Sequence, residues 1–260
     1  MTAFHFGPAH ARLFGVYTPP RASVDREEGI LVCAPIGLEY MRTHYAVKLL
    51  AMQLAASGFH VLRFDYHGTG DSFGEVGAGQ FGIWADDIAL AMRELVDLSG
   101  ARSLTIVGLR MGAVLAIEAL VSHGLKVHGL VLWEPVVNGP EYLAMLGEIQ
   151  GKLADQREIP PRQTNDLLGA PYPADMRARI EGIDLAGQIQ LLDAQSAALV
   201  VSEDKPEFDA LLKGMRRRWP DAKYRSMADP IEWDTVKAAF DARMTGPIVR
   251  AVAEATESLA

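Results

Sequence analysis

Short apolar runs alternate along this chain with longer stretches in which apolar positions recur at helical spacing. The runs are continuous rather than alternating, which predicts strands covered on both faces. They are Ile30–Ala34, His60–Phe64, Leu104–Val107, Gly129–Trp133 and Ala197–Val201. The predicted amphipathic helices are Met41–Ala56, Ile83–Leu98, Met111–Ser122, Glu207–Arg218 and Pro247–Leu259. Strands joined by helices form βαβ crossovers, so the pattern predicts an α/β fold with a mostly parallel central sheet flanked by helices.

Two segments depart from this rhythm. The chain opens on a predicted short hairpin, Phe4–Phe6 with Arg12–Tyr17. Between residues 139 and 193 the pattern breaks into helical fragments separated by Pro160-Pro161 and by Pro171-Tyr172-Pro173. Because a strand then resumes the sheet, we interpret 139–193 as an inserted helical lid. Residues 1–138 and 194–260 are then the core.

Composition narrows the class of protein. The chain has 260 residues, 49% of them apolar and 22% charged, which is typical of a folded globular domain. The formal charge of -8 and the lack of a long basic run argue against nucleic-acid binding. Cys33, the one cysteine, lies in an apolar run and is expected to be a buried strand residue. There is no signal-peptide pattern and no stretch of ~18 apolar residues, so we expect a cytoplasmic protein without a membrane span.

Candidate chemistry centres on Gly108-Leu109-Arg110-Met111-Gly112. A strand that stops at a glycine, turns over three residues to a second glycine and restarts as a helix has the layout of the nucleophile elbow G-x-S-x-G. The middle residue of that motif is the nucleophile, and here it is Arg110. A guanidinium has five donors and no accessible neutral form, so Arg110 cannot attack a carbonyl carbon.

The order of elements resembles the α/β-hydrolase fold over nearly the whole chain. Three motifs also resemble the exosortase A system-associated hydrolase group: Leu62–Ser72, Gly108–Ala113 and Leu132–Gly139. Pro230-Ile231-Glu232-Trp233 is similar to that group as well, which implies an aromatic, Trp233, where other hydrolases carry the histidine loop. The resemblance implies an association with exopolysaccharide and surface-protein sorting systems, with a protein partner in polysaccharide assembly.

The usual base is missing from the sequence. In the hydrolase order the histidine lies after the last strand and before the final helix. The seven histidines are His5, His10, His44, His60, His67, His123 and His128. Met227–Thr245 therefore offers no imidazole, and an ordinary Ser-His-acid hydrolase is excluded as an interpretation of the sequence. His44 and His67 are the candidates for a displaced base.

The sequence has carboxylates at the positions where the hydrolase order places the acid of the triad. Glu134 follows the strand after the elbow, and Glu203-Asp204 follow the next one. One of these carboxylates is expected to pair with Arg110. Such a pair would either hold a cation for a ligand carboxylate, phosphate or oxyanion, or act only as a structural salt bridge. Both alternatives stay open, and Arg110, Glu134 and Asp204 are the catalytic candidates beside the two histidines.

Ligand-binding candidates surround the elbow. The backbone N–H groups of Met111 and of Ile36 or Gly37 would form an oxyanion hole. A wall of the site would be formed by the residues that follow this loop, Glu39, Arg42, His44 and Tyr45. Tyr142 and other apolar residues of the expected lid would line an acyl pocket or form the lid's own small core. No metal-ligand spacing or phosphate loop is present, so no metal or cofactor is expected.

Three functions remain. The first is a protein that binds a small anionic acyl or glycan-linked ligand at Arg110, and Trp233 is counted among its ligand-binding candidates. The second is a non-standard esterase, thioesterase or acyltransferase that uses a displaced base. The third is a non-catalytic scaffold for a partner protein.

Overall fold

One eight-stranded sheet runs through the described part of the computed structural model, which covers residues 1–21, 25–75, 80–157, 165–237 and 246–260. Its strands are β1 (Thr2–Phe6), β2 (Leu13–Thr18), β3 (Glu28–Cys33), β4 (His60–Phe64), β5 (Ser103–Leu109), β6 (Lys126–Trp133), β9 (Asp193–Val201) and β10 (Lys223–Ser226). A separate antiparallel pair joins β7 (Asp166–Leu167) to β8 (Ala170–Pro171). The sheet order is β1-β2-β4-β3-β5-β6-β9-β10, with β1 and β2 antiparallel and the others parallel.

Helices cover both faces of this sheet. They are α1 (Gly37–Ala56), α2 (Phe81–Ser99), α3 (Met111–Ser122), α4 (Gly139–Arg157), α5 (Ala174–Glu181), α6 (Leu185–Gln188), α7 (Pro206–Arg218) and α8 (Gly246–Glu257), with a 3-10 turn at Ile189–Leu191. One core packs α2, α3 and α7 against the sheet, and a second core packs α1 and α8 against the opposite face. The predicted α/β architecture is confirmed.

The apolar runs of these strands are continuous because both faces of the sheet are covered, as the sequence pattern predicts. All six residues of β3 are buried; Leu31 and Cys33 lie in one core, while Ile30 and Val32 lie in the other. Cys33 is fully buried, as expected. Alternate residues of a strand point to opposite faces, so a strand between two helical layers needs apolar residues at every position.

Some boundaries differ from those expected. Helix α1 begins at Gly37, four residues before the predicted start, so Glu39 lies in its first turn rather than in a loop. Strand β9 begins at Asp193 instead of Ala197. The segment between β6 and β9 is helical but also contains the β7–β8 hairpin; we call residues 139–192 the insertion. Pro160-Pro161 and residues 238–245 of the predicted loop lie outside the described residues.

Among the helices of the described ranges, none combines the length and the apolar character that a membrane crossing requires.

Close packing at Gly112 positions the elbow. A Cβ atom there would lie 2.2 Å from the carbonyl oxygen of Cys33 and 2.4 Å from that of Ala34. Both contacts are with backbone at the end of β3, which cannot move away as a flexible side chain could. Gly112 therefore lets α3 approach β3 closely enough to place Arg110 beside the segment that follows β3.

Gly112→Ala is expected to destabilise the protein by about 3 kcal/mol or more, because backbone has to shift. The matched control is Gly147→Ala in α4, where a Cβ meets nothing within 4 Å. That substitution is expected to stabilise by roughly 0.5–1 kcal/mol, since alanine loses less conformational entropy in a helix. Urea unfolding measures both, and equal effects would contradict the role of Gly112.

A buried carboxylate supports the loop after β4. Asp87 in α2 is 8% exposed, and its carboxylate accepts a 2.7 Å hydrogen bond from the backbone N–H of His67. Burial, opposed by the His67 hydrogen bond and assisted by repulsion from Asp86, raises the pKa of Asp87 to about 7. The folded state thus binds a proton more tightly than the unfolded state, in which the ordinary pKa is 3.8.

The contribution of Asp87 to the free energy of unfolding is expected to fall as the pH rises from about 4 to about 7. Its carboxyl group ionises at lower pH in the unfolded state than in the folded state. Asp87→Asn keeps an acceptor for the His67 N–H and removes the charge. We expect the gain in the free energy of unfolding to be larger near pH 8 than near pH 5 by about 1–2 kcal/mol. Urea titrations at both pH values test this, with exposed Asp97→Asn in the same helix as the control. A gain that is the same at both pH values would contradict the assignment.

Candidate functional site

The elbow between β5 and α3 is a strained turn. Arg110 has φ 53° and ψ -121°, a conformation that costs a non-glycine residue roughly 1–3 kcal/mol. Backbone hydrogen bonds hold it: the Arg110 N–H donates to the Trp133 carbonyl at 3.0 Å, and the Ala113 N–H donates to the Arg110 carbonyl at 3.1 Å. The turn therefore has the sharp geometry that the glycine spacing indicated, with arginine at its apex.

The Arg110 guanidinium forms a buried ion pair with Glu39. Its Nε and Nη2 donate to Oε1 of Glu39 at 3.2 and 3.0 Å, and the two side chains are only 10% and 8% exposed. Nη1 donates to the carbonyl of Glu134 at 3.4 Å. Burial alone would lower the pKa of Arg110, but attraction and hydrogen bonding to Glu39 outweigh it, and the pKa lies above its ordinary value. The cation is thus fixed in its charged state.

Aromatic rings enclose this pair. The guanidinium carbon of Arg110 lies 4.4 Å from the centre of the Trp233 ring and 5.7 Å from that of Tyr142. Arg42 stacks on the same tryptophan at 4.6 Å, and its Nη2 donates to the Glu232 carbonyl at 2.5 Å. The Tyr142 hydroxyl donates to Oε2 of Glu39 at 3.5 Å. Cation–π contacts to desolvated rings strengthen a paired arginine by about 1 kcal/mol or more each.

The prediction that Glu134, Glu203 or Asp204 pairs with Arg110 is wrong. Glu134 follows β6 as predicted, but with φ 47° its carboxylate turns to accept the Ser202 N–H at the end of β9. Glu203 pairs with Lys205 at 2.9 Å, and Asp204 is exposed and accepts the Tyr224 hydroxyl. These acids connect neighbouring strands and loops. Glu39 supplies the charge for Arg110 instead.

The candidate bases do not reach this site. His44 is exposed on α1, where its ring contacts that of Tyr40. His67 lies in the loop after β4, with its ring against Phe73. Neither lines the cleft beside Arg110. The prediction that one of them serves as a displaced base at Arg110 is therefore not supported by the described geometry.

Two cavities lie near this site. The Arg110 cleft, about 290 Å³, lies between Arg110, the start of the insertion, the segment after β9 and the loop around Trp233. The Ile36 cavity, about 260 Å³, is lined by Ile36, Gly37, the β7–β8 hairpin and Trp84. Tyr172 reaches from the insertion to Gly37, where a Cβ would lie 2.9 Å from its hydroxyl, and Tyr172 interacts with Tyr142. The two tyrosines thus stand between the cleft and the cavity.

Negative charge dominates the walls of the Arg110 cleft. Its acidic lining residues are Glu141, Glu203, Glu207, Glu232 and Asp234, and its basic ones are Arg110 and Lys205. Burial raises the pKa of Glu207, and repulsion from Glu141 adds to that, while Lys205 and Arg110 lower it. The walls of the cleft therefore carry a net negative formal charge.

The structure brings together some of the predicted site residues. Arg110, Glu39, Tyr142 and Trp233 are in contact, while Ile36 and Gly37 line the other cavity. Met111 is fully buried at the first position of α3, where its backbone N–H has no carbonyl one turn earlier in the helix. Tyr172 and the acidic rim were not predicted. Arg42, which was expected with Glu39 in the wall of the site, lies one helical turn after Glu39 and shares its face.

Within the described ranges, no group of three or more His, Cys, Asp or Glu residues could hold a metal ion.

Comparison with known proteins places this geometry in a family context. The model of the family described as serine aminopeptidase S33 matches residues 40–179. No match was found among curated proteins. Similar solved structures include Est1E from Butyrivibrio proteoclasticus, with 16% identity, TM-score 0.67 and coverage of 99% of this chain and 98% of that chain. Proline iminopeptidase from Mycobacterium smegmatis has 12% identity, TM-score 0.66 and coverage of 99% and 98%. Mouse alpha/beta hydrolase domain-containing protein 10 has 15% identity, TM-score 0.62 and coverage of 100% of this chain and 98% of that chain. At these identities the likeness shows the fold.

A double-mutant cycle tests the ion pair. Arg110→Met and Glu39→Met each leave one buried charge without its partner, so each is expected to destabilise by about 3 kcal/mol. The double variant removes both charges and should lose far less than the sum, with a coupling of about 2 kcal/mol or more. The control pair is Arg102–Glu27, whose side chains are 80% and 53% exposed, and its coupling should be at most about 0.5 kcal/mol. Additive losses at Arg110 and Glu39 would contradict a direct pair.

Proposed function

Because the chain belongs to the serine aminopeptidase S33 family of the α/β-hydrolase superfamily but carries arginine at its elbow, we propose that it binds an acyl or glycan-linked ligand without hydrolysing it. The observation that carries this proposal is the buried Arg110–Glu39 pair at the apex of the turn. A paired guanidinium has no lone pair with which to attack an ester, and no histidine follows His128 in the sequence.

Arg110 can still bind an oxygen atom. Among the described residues, its hydrogen bonds use Nε, one N–H of Nη2 and one N–H of Nη1. A guanidinium has five N–H donors, so one remains on each terminal nitrogen. Arg110 lines the cleft, and a carbonyl, hydroxyl or single carboxylate oxygen entering it would accept from these donors.

The charges on the cleft walls narrow the ligand class. Glu39 already neutralises Arg110, and the acids of the rim outnumber its bases, so a polyanion would be repelled. A ligand with one acceptor group at Arg110 meets these conditions. Its apolar part has a complementary site in the Ile36 cavity, whose lining includes Ile36, Leu38 and Trp84.

The insertion acts as a lid in this proposal. Tyr142 and Tyr172 both come from it, and both stand over the Glu39 carboxylate between the cleft and the cavity. Rotation of these side chains would join the two spaces into one site for an elongated ligand. The core then supplies Arg110, and the insertion controls access to it.

The narrower expectations belong to the same proposal. Similarity to the exosortase A system-associated group supports a role in exopolysaccharide biosynthesis in the cytoplasm, with a protein partner. A displaced-base esterase has less support, because His44 and His67 lie away from the cleft.

Two probes test binding and turnover together: p-nitrophenyl octanoate for the acyl class and p-nitrophenyl β-glucoside for the glycan class. We expect saturation-transfer NMR to detect binding of at least one probe, with no release of p-nitrophenol above the rate of the Arg110→Met/Glu39→Met variant. Binding should weaken by about tenfold in that variant, which loses its oxygen-binding donors. Arg102→Met is the control for general loss of positive charge, because its side chain is exposed.

Fluorophosphonate labelling is expected to fail, since it requires an activated serine or similar nucleophile. Turnover that the double variant loses would contradict a non-hydrolytic role and favour the displaced-base enzyme. Absence of binding to both probes would contradict the ligand class and favour the scaffold.

A further inference from the structure

A second polar cavity lies between the sheet and α1, away from Arg110. We call it the Arg63 cavity; it has a volume of about 250 Å³ and contains Arg63 and His44 among its polar lining. Phe14, Val16 and Val47 form an apolar wall. Arg110 does not line it, so the Arg63 cavity is separate from the cleft described above.

The position of Arg63 in the sheet is unusual for a charge. It lies on β4, where its backbone is paired with Val16 of β2 on one side and Val32 of β3 on the other. Alternation along the strand places Arg63 on the same face as Val61, which packs in the core under α1. An arginine at an inner strand of a covered sheet loses water and needs a partner to compensate.

Arg63 has no such partner among the described residues. Its Nε is buried and makes no hydrogen bond there, and its guanidinium forms no ion pair with a described carboxylate. Burial lowers the pKa of Arg63, which attraction to Asp65 and Tyr40 only partly opposes. This contrasts with Arg110, whose charge is matched by Glu39.

The carboxylate of Asp65, which lies near Arg63 in the sequence, already accepts hydrogen bonds from other groups. Oδ1 of Asp65 accepts the Tyr40 hydroxyl at 2.5 Å, and Oδ2 accepts the Asp71 N–H at 3.0 Å. These bonds fix the Asp65 carboxylate to its own loop and to α1. The negative charges of Asp65 and Asp71 remain close, and they would repel a dianion more strongly than a monoanion.

We propose that the Arg63 cavity binds a small organic carboxylate, with the carboxylate group on Arg63 and His44 and the hydrocarbon part against Phe14, Val16 and Val47. A guanidinium fork matches the two oxygens of a carboxylate. The His44 ring contacts Tyr40, and among the described residues neither of its nitrogens is engaged in a hydrogen bond. The volume suits a molecule of few heavy atoms, since it lies below the usual range for drug-sized ligands.

Butyrate is the test ligand, butyramide its neutral counterpart and inorganic phosphate the competing anion, all at one ionic strength maintained with sodium chloride. Isothermal titration calorimetry is expected to detect butyrate binding and to find butyramide and phosphate at least about tenfold weaker. Arg63→Met should weaken butyrate by at least about tenfold, and Arg63→Lys, which keeps the charge but not the fork, should fall in between. Arg102→Met is the matched surface control and should bind as the wild type does.

Two further measurements separate binding from stability. Without ligand, Arg63→Met should be at least as stable to urea as the wild type, because it removes a partly buried charge that has no partner. With butyrate, the wild type should gain in melting temperature and Arg63→Met should not. Arg110→Met/Glu39→Met should retain butyrate binding, which separates this site from the proposed function. Equal binding of butyrate by the wild type and Arg63→Met, or tighter binding of phosphate, would overturn the proposal.

Discussion

The buried pair of Arg110 and Glu39 is the interaction on which the arrangement of this site depends. An arginine at the apex of a strained turn, 8% exposed, cannot stay charged there without a carboxylate nearby. Glu39 meets that need only because α1 starts directly after β3, which lies next to β5 in the sheet. Tyr142 and Trp233 then close over the pair from the insertion and from the loop after β10. Contacts with Arg110 thus bring together four parts of the chain that are distant in sequence: the start of α1, the elbow, the insertion and the loop after β10.

This pair changes what the elbow can do chemically. A hydrolase elbow uses its strain to present a nucleophile beside backbone donors that stabilise a developing oxyanion. Here the same turn presents a cation that is already neutralised and partly enclosed by aromatic rings. Such a group orients an acceptor atom but forms no covalent bond to it. The strain is therefore offset by Glu39 and the rings, and the apex of the turn holds a paired cation where the motif places its nucleophile.

The sequence was sufficient for the sheet and for the elbow, but not for the partner of Arg110. Continuous apolar runs predict strands covered on both faces, and the glycines at 108 and 112 predict the sharp turn, so these features follow from local pattern. Strand β5, however, lies between β3 and β6, and an acid follows each of these neighbours. The choice between Glu39 and Glu134 depends on the positive φ of Glu134, which turns its carboxylate to Ser202. No spacing rule encodes that backbone angle.

Arg110 and Arg63 differ in whether a carboxylate pairs directly with the guanidinium. Arg63 belongs to the inner strand β4 and Arg110 to the turn directly after the inner strand β5, and each lines a cavity. Arg110 has a fixed carboxylate, so its net field is small and its remaining donors favour a neutral or singly charged acceptor. Arg63 has no ion-pair partner among the described residues, and its charge is opposed by Asp65 and Asp71 in the same cavity without direct pairing. An anion entering the Arg63 cavity would meet a guanidinium without an ion-pair partner, whereas one entering the Arg110 cleft would have to compete with Glu39. The difference between the two arginines thus comes from their partners.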